Sequence, residues 1–206
     1  MDSIPQENGL IAFERWRKRP PLEIHQKIFD HPRIVEIVGT PQSGRTFLTR
    51  QMIKKALDPN KDNEVLVIDC ENGINGVNLK LGEKQLERVH LYRVFDWNDY
   101  QTTLALIPQI LCQSPLINLI LVDGLDSTYM LKDRNRQERT KLNCDRFMRQ
   151  QISRLGQQIL EAYPSVCCAL TRADASDLEV HNTIRVTIEA DKCRAKFVQN
   201  AVIFDL

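Results

Sequence analysis

The chain has 206 residues, enough for one compact domain with a substantial core and too few for two comfortable ones. Its composition, 42% hydrophobic and 27% charged, is ordinary for a soluble globular protein. The net charge of +1 gives no global sign of a nucleic-acid binder, so any basic surface must be local. No apolar run approaches the roughly 18 residues that span a bilayer, and the polar start of the chain lacks the regions of a signal peptide. We therefore expect an intracellular protein with no membrane partner.

The six cysteines and four histidines do not have the spacing of a metal site. No pair of cysteines has the CxxC spacing, and adjacent Cys167 and Cys168 lie in an apolar run typical of a buried strand. A zinc site would require paired ligands at short spacing. We expect structural thiols and no metal cluster.

Residues 1–32 are predicted to form an N-terminal helix and a linker, and residues 33–206 the main domain. Residues 9–19 place Leu10 and Phe13 on one helical stripe before two prolines stop the helix. From residue 33 the pattern changes to short apolar runs that are separated by stretches long enough for helices. The predicted core strands are RIVEIV, EVLVID, INLILV and SVCCAL.

Continuous apolar strands are typical of a parallel sheet that is covered on both faces, and parallel strands require helical crossovers. The tail differs, because TIRVTIEAD, CRAKFVQ and AVIFDL follow one another closely and alternate in polarity. That pattern predicts antiparallel hairpins. The expected fold class is therefore α/β, mainly a parallel sheet with helices on both faces and an antiparallel C-terminal edge.

The strongest motif is a phosphate-binding loop between the strand predicted at residues 33–38 and a helix predicted at roughly 45–57. Backbone N–H groups of such a loop and of the following helix N-terminus cradle phosphate. Arg45 stands where the motif has lysine, and it delivers a longer, planar charge. The alternative is a strand-to-helix turn that binds no nucleotide. The candidate nucleotide-binding residues are Gly39, Thr40, Pro41, Gln42, Ser43, Gly44, Arg45 and Thr46.

Two acidic residues at strand ends extend this site. Asp123 closes the apolar run LILV, where a Walker B carboxylate would order Mg²⁺ together with the Thr46 hydroxyl. Glu71 follows the strand ending Ile68-Asp69 and is a candidate general base. The alternatives are an acid that caps a turn before Gly124, and a loop or helix cap at Glu71. ATP and Mg²⁺ are the expected cofactors.

The order of these motifs resembles the eukaryotic RecA-like recombinases and their paralogues. The loop, the strand ending IDxE, the strand ending LILVD, an amphipathic helix and a strand ending in Thr171 follow one another as in that family. The likeness covers residues 33–206, and the segment GLIAFERWRKRPPLEIHQKIF is similar to the lead-in of a paralogue without a separate N-terminal DNA-binding domain. It implies a RecA-like ATPase fold.

The resemblance also implies a function in homologous-recombination DNA repair in the nucleus. Such paralogues act with another paralogue and assist the recombinase filament on single-stranded DNA. Self-polymerisation is not supported, because the Phe-x-x-Ala motif is absent after Phe13. Arg172 and Ala173 replace the family's Asn-Gln sensor of the γ-phosphate, and the following loop, 174–182, is short. Together with Arg45, these departures predict weak or absent hydrolysis.

A local basic segment, residues 132–150, carries seven Lys or Arg against three acids. It lies where the family's first DNA-facing loop would lie, and its cations would contact phosphates without reading sequence. The alternative is a solvated helix face. The candidate DNA-binding residues are Lys132, Arg134, Arg136 and Arg139.

A second basic run at residues 15–19 lies beside Leu10, Phe13 and Trp16. An exposed apolar stripe of this kind would dock a partner protein. Packing of the stripe onto the domain's own surface is the alternative.

The leading hypothesis is a recombinase-paralogue subunit with a degenerate nucleotide site. One alternative is a stand-alone P-loop enzyme such as a small-molecule kinase, which would need a lysine in the loop and a substrate lid. Another is a pure scaffold with a vestigial nucleotide site.

Overall fold

The computed structural model describes residues 34–38, 45–57, 62–127, 141–155, 159, 163, 166–172, 183–189, 192–197 and 201–203. The helices of these ranges are α1 (Arg45–Leu57), α2 (Gly76–Leu79), α3 (Glu83–Leu86), α4 (Trp97–Gln113) and α5 (Lys141–Leu155). The strands are β1 (Ile34–Val38), β2 (Glu64–Asp69), β3 (Val89–Arg93), β4 (Ile117–Asp123), β5 (Cys167–Arg172), β6 (Thr183–Glu189), β7 (Lys192–Phe197) and β8 (Ala201–Ile203).

The strands form one sheet in the order β3-β2-β4-β5-β1-β6-β7-β8. The first five strands of the chain are all parallel, and β6 continues the sheet parallel to β1. Strands β7 and β8 are antiparallel to their neighbours. The predicted α/β class, the parallel sheet and the antiparallel C-terminal edge are therefore confirmed. The tail begins with a parallel strand, however, and only its β6–β7 and β7–β8 pairs are antiparallel.

Helices cover both faces of the sheet because the strands are apolar on both faces. Successive side chains of a strand point to opposite faces, so each strand supplies two cores. On one face, Val35, Val67 and Leu121 join the buried side chains of α1. On the other face, the core combines further strand residues with α4 and α5, including Leu66, Ile120, Leu170, Tyr100, Leu104, Phe147 and Ile152.

Helix α4 starts at a side-chain cap and buries one stripe. The Asp96 carboxylate accepts a hydrogen bond from the Asp99 N–H at 2.9 Å, which satisfies one of the free donors of the first turn. Trp97 stacks at a tilt on Tyr100 and Phe147, with ring centroids 5.5 and 5.3 Å apart. These contacts join the start of α4 to α5.

The predicted helix and linker of residues 1–32 lie outside the described ranges, as does the linker between β5 and β6. Among the helices that the structure describes, none combines the length and the apolar character needed to cross a membrane.

Candidate functional site

The candidate site lies at the carboxyl ends of the parallel strands. Strands β2, β4 and β5 end at Asp69, Asp123 and Arg172, and α1 begins at Arg45 shortly after β1 ends. Since the strands run in one direction, these ends meet at a single edge of the sheet. Ligands of open α/β sheets bind at this edge.

Arg45 is the residue of the phosphate-loop motif whose side-chain contacts the structure describes best. Its side chain is only 11% exposed, and Nη2 lies 3.8 Å from Oε1 of Glu71. Nη1 is buried and has no hydrogen-bond partner among the described residues. A guanidinium group beside the first turn of a helix is suited to bind an anion such as phosphate.

Thr46 is half-buried in the first turn of α1. Its carbonyl accepts a hydrogen bond from the Thr49 hydroxyl at 3.0 Å. The first N–H groups of a helix have no partner within the helix, and the helix dipole adds partial positive charge there. The start of α1 therefore adds to the positive potential around Arg45.

Glu71 sits in a turn that Asp69 organises. The two carboxylate oxygens of Asp69 accept hydrogen bonds from the N–H groups of Glu71 and Gly73 at 3.2 Å and of Ile74 at 3.0 Å. Asp69 itself is fully buried. Its carboxylate thus supports the turn, and the turn presents Glu71 to Arg45.

The side chain of Glu71 is about one-third exposed and contacts the Ser127 hydroxyl at 3.4 Å. Burial raises the pKa of Glu71, the nearby Arg45 lowers it, and Asp123 and Asp126 raise it again. A carboxylate with a raised pKa is better suited to accept a proton near neutral pH. In this structure, however, the Arg45 guanidinium lies 3.8 Å from its carboxylate and favours the charged form.

Asp123 is almost fully buried at the end of β4, with 3% of its surface exposed. Oδ1 accepts a hydrogen bond from the Thr171 hydroxyl at 2.7 Å. The pKa of Asp123 is raised by burial, which the Thr171 hydrogen bond and Arg45 oppose, while Asp69 and Asp126 add to the rise. A carboxylate so poorly solvated favours a neighbouring cation.

Gly124 turns the chain directly after Asp123. Its φ of +73° lies in the left-handed region, and a Cβ at this position would lie 2.2 Å from Cγ of Glu71. Only glycine therefore fits here without strain. The close approach of Gly124 to Glu71 brings the turns after β2 and β4 together.

Three predicted residues, Arg45, Glu71 and Asp123, thus come from distant segments into one site. Thr171 joins them and was not among the predicted site residues. The signal that could have identified it is its place near the end of β5, since the register of β4 and β5 pairs Val122 with Leu170, the residues directly before Asp123 and Thr171.

Several predicted residues lie outside the described ranges, so their placement stays a prediction. They are the loop residues Gly39, Thr40, Pro41, Gln42, Ser43 and Gly44, the DNA-binding candidates Lys132, Arg134, Arg136 and Arg139, and the partner-binding candidates Leu10, Phe13 and Trp16.

The residues present fit a nucleotide with Mg²⁺. Arg45 would hold phosphate through its guanidinium group, and the Thr46 hydroxyl and the Asp123 carboxylate would hold the ion, which would neutralise phosphate charge when bound. Within the described ranges, no group of three or more His, Cys, Asp or Glu side chains is arranged to hold a metal ion.

The described cysteines Cys70, Cys112, Cys167 and Cys168 carry free thiols. Burial raises the pKa of Cys168 to about 12, so this thiol stays protonated and is typical of a core residue.

No protein-family model matches the sequence, and no curated protein is significantly similar to it.

Proposed function

We propose that this chain is a nucleotide-binding, RecA-like subunit that acts as a recombinase paralogue in homologous-recombination DNA repair. The observation that carries the nucleotide-binding part is the convergence of Arg45, Glu71 and Asp123 at the carboxyl edge of a parallel sheet. The repair part rests on the order of motifs, which resembles that of the recombinase family. These three residues are the ones that the motifs assign to phosphate, to the attacking water and to Mg²⁺. In this proposal the subunit works with another paralogue and assists the recombinase filament on single-stranded DNA.

The architecture supports the RecA-like part of the proposal. The order of motifs predicts a parallel α/β core that is closed by antiparallel strands at the C-terminus, and the sheet has this form. The amphipathic helix expected between the second acidic strand and the strand containing Thr171 corresponds to α5, which buries Phe147, Ile152 and Leu155.

The contacts of Arg45 favour binding over rapid hydrolysis. A general base must contact the attacking water, but the carboxylate of Glu71 lies beside the Arg45 guanidinium group. That group stabilises the charged form of Glu71 and takes space next to its carboxylate that a water molecule would need. Arginine also replaces the lysine that normally reaches the transferred phosphate. We therefore expect ATP to bind with Mg²⁺ and to be turned over slowly.

Binding of ATP tests the nucleotide site. Isothermal titration calorimetry with ATP and Mg²⁺ should show a single site in the wild-type chain. Arg45→Ala should weaken binding roughly 10–100-fold, the loss expected for a hydrogen bond to a charged group worth about 1.5–3 kcal/mol. Lys84→Ala, which removes an exposed cation from α3, is the control and should bind as the wild type does. Equal affinity in all three proteins would remove Arg45 from the site.

The repair function is tested by affinity purification of the tagged protein from its own cells, followed by mass spectrometry. Recovery of recombinase-type proteins supports the proposal. A monomer without them that catalyses Mg²⁺-dependent phosphotransfer would favour a stand-alone P-loop enzyme.

The scaffold alternative has a separate test. If the nucleotide site is vestigial, Gly44→Asp and Arg45→Ala leave complex formation intact. Loss of the complex in variants that still fold would exclude that alternative and show that the nucleotide site contributes to assembly.

A further inference from the structure

Three hydrogen bonds hold the backbone of Asp123 and Gly124. The Asp123 carbonyl accepts a hydrogen bond from the Cys70 N–H at 2.9 Å, and the Gly124 carbonyl accepts one from the Ser127 N–H at 2.9 Å. The Gly124 N–H donates to the Thr171 hydroxyl at 2.7 Å. The backbone around the acidic residue is therefore fixed before any ligand arrives.

The chemistry of the hydroxyl group decides which hydrogen bond Thr171 donates and which it accepts. A hydroxyl has one proton to donate and lone pairs that accept. Because the Gly124 N–H already donates to this oxygen, the hydroxyl proton is available to the Asp123 carboxylate, and Oδ1 lies 2.7 Å away. Thr171 is fully buried, so bulk water does not reach it to take over either bond.

The neighbouring acid, Asp69, shows a different arrangement. It is in register with Asp123 across β2 and β4, but both of its oxygens accept backbone N–H groups of its own turn. For Asp123, the described side-chain hydrogen bonds involve Oδ1 and come from Thr171 alone. The first carboxylate supports the turn, whereas the second is oriented by a single hydroxyl.

We propose that Thr171 is a positioning residue, which orients the Asp123 carboxylate for Mg²⁺ through the hydrogen bonds Gly124 N–H to Thr171 hydroxyl to Asp123 Oδ1. This inference rests on the proposed nucleotide function. Groups that orient metal ligands in this way are costly to remove, because the ligand then samples unproductive orientations. Thr171 lies on β5, between the acidic strand β4 and the strand β1 that precedes the phosphate loop.

The test compares Thr171→Val, which keeps the shape but loses the hydroxyl, with Thr171→Ser, which keeps the hydroxyl. ATP affinity is measured by calorimetry once with Mg²⁺ and once with excess EDTA. Thr171→Val should lose roughly 10–100-fold in affinity with Mg²⁺ and nothing in EDTA. Thr171→Ser should retain the wild-type response to Mg²⁺. Thr103→Val, a buried threonine of α4 on the opposite face of the sheet, is the control for losing a hydroxyl and should behave as wild type.

Two results would overturn the inference. One is an unchanged response to Mg²⁺ in Thr171→Val, and the other is an equal loss of affinity with Mg²⁺ and in EDTA, which would indicate a general structural role. If circular dichroism shows that Thr171→Val does not fold, Thr171→Ser and Thr171→Ala are compared by the same criterion. A wild-type chain that binds no ATP under either condition would instead refute the proposed nucleotide function.

Discussion

Replacing Gly124 by alanine should destabilise the protein through two separable effects. The first is the φ of +73°, which costs a residue with a Cβ about 1–2 kcal/mol. The second is the new methyl group, which would lie 2.2 Å from Cγ and 2.7 Å from Cδ of Glu71, whereas ordinary contact begins at 3.4 Å. Glu71 must move to relieve this clash, but its side chain is flexible and about one-third exposed, so it can turn toward solvent at a cost of about 1 kcal/mol, mostly the lost ion pair with Arg45. The two effects together predict a loss of about 2–3 kcal/mol in the free energy of unfolding.

A double-mutant cycle separates the two effects. The three nearest atoms, all of Glu71, lie beyond its Cβ, so Glu71→Ala removes them and leaves mainly the cost of the backbone conformation. In the Glu71→Ala background, Gly124→Ala should therefore cost about 1–2 kcal/mol, and the coupling energy should be about 1 kcal/mol. Urea denaturation followed by circular dichroism measures each value.

Gly73→Ala is the matched control, because no described atom outside its two chain neighbours lies within 4 Å of its Cβ position, and Gly73 is not among the described glycines with positive φ. It should change the free energy of unfolding by about 1 kcal/mol or less. The reasoning would be refuted if Gly124→Ala cost the same with and without Glu71, since the clash would then contribute nothing.

Three further predictions concern charges and a helix cap. Burial raises the pKa of Asp123 in the native state, so the native state binds the proton more tightly than the unfolded state does. The free energy of unfolding therefore falls as the pH rises from the ordinary aspartate range through the raised pKa. Without ligands, Asp123→Asn should therefore be more stable than the wild type near neutral pH, and the difference should be smaller in acid. Its Mg²⁺-dependent affinity for ATP should fall. Equal urea midpoints of the two proteins at all pH values would contradict the stability prediction. Glu71→Gln should raise ATP affinity about two- to fivefold, because it frees Arg45 from an ion pair worth about 0.4–1 kcal/mol. A decrease in the affinity measured by calorimetry would show instead that Glu71 orients Arg45. Asp96→Ala should remove the N-cap of α4, reduce the free energy of unfolding by about 1 kcal/mol and lower Tm by about 2–4 °C. Asp96→Ser, which can still cap the helix, should largely retain Tm. An equal loss in both variants would mean that capping is not the cause.

Much of the fold follows from local sequence pattern. Apolar runs such as Leu119–Val122 are uniformly hydrophobic, which indicates buried elements, and their short length favours strands over helices. The helix predicted after the phosphate loop is α1 as observed, with the same bounds. Strand β3 was not predicted, because it lies at the sheet edge and its sequence VHLYR mixes polar and apolar side chains, none of them fully buried.

The sequence by itself determined the α/β class, the strand-to-helix motif at Arg45 and the acids Glu71 and Asp123 at strand ends, because hydrophobic periodicity and motif spacing are local properties of the chain. Only the tertiary structure decided that Arg45 lies against Glu71, and that Thr171, 48 residues from Asp123, donates its proton to that carboxylate. It also decided that β6 runs parallel to β1 before the antiparallel edge begins. Such contacts depend on which strands become neighbours and in which register, and the packing of helices on both faces of the sheet selects that order from the whole chain at once.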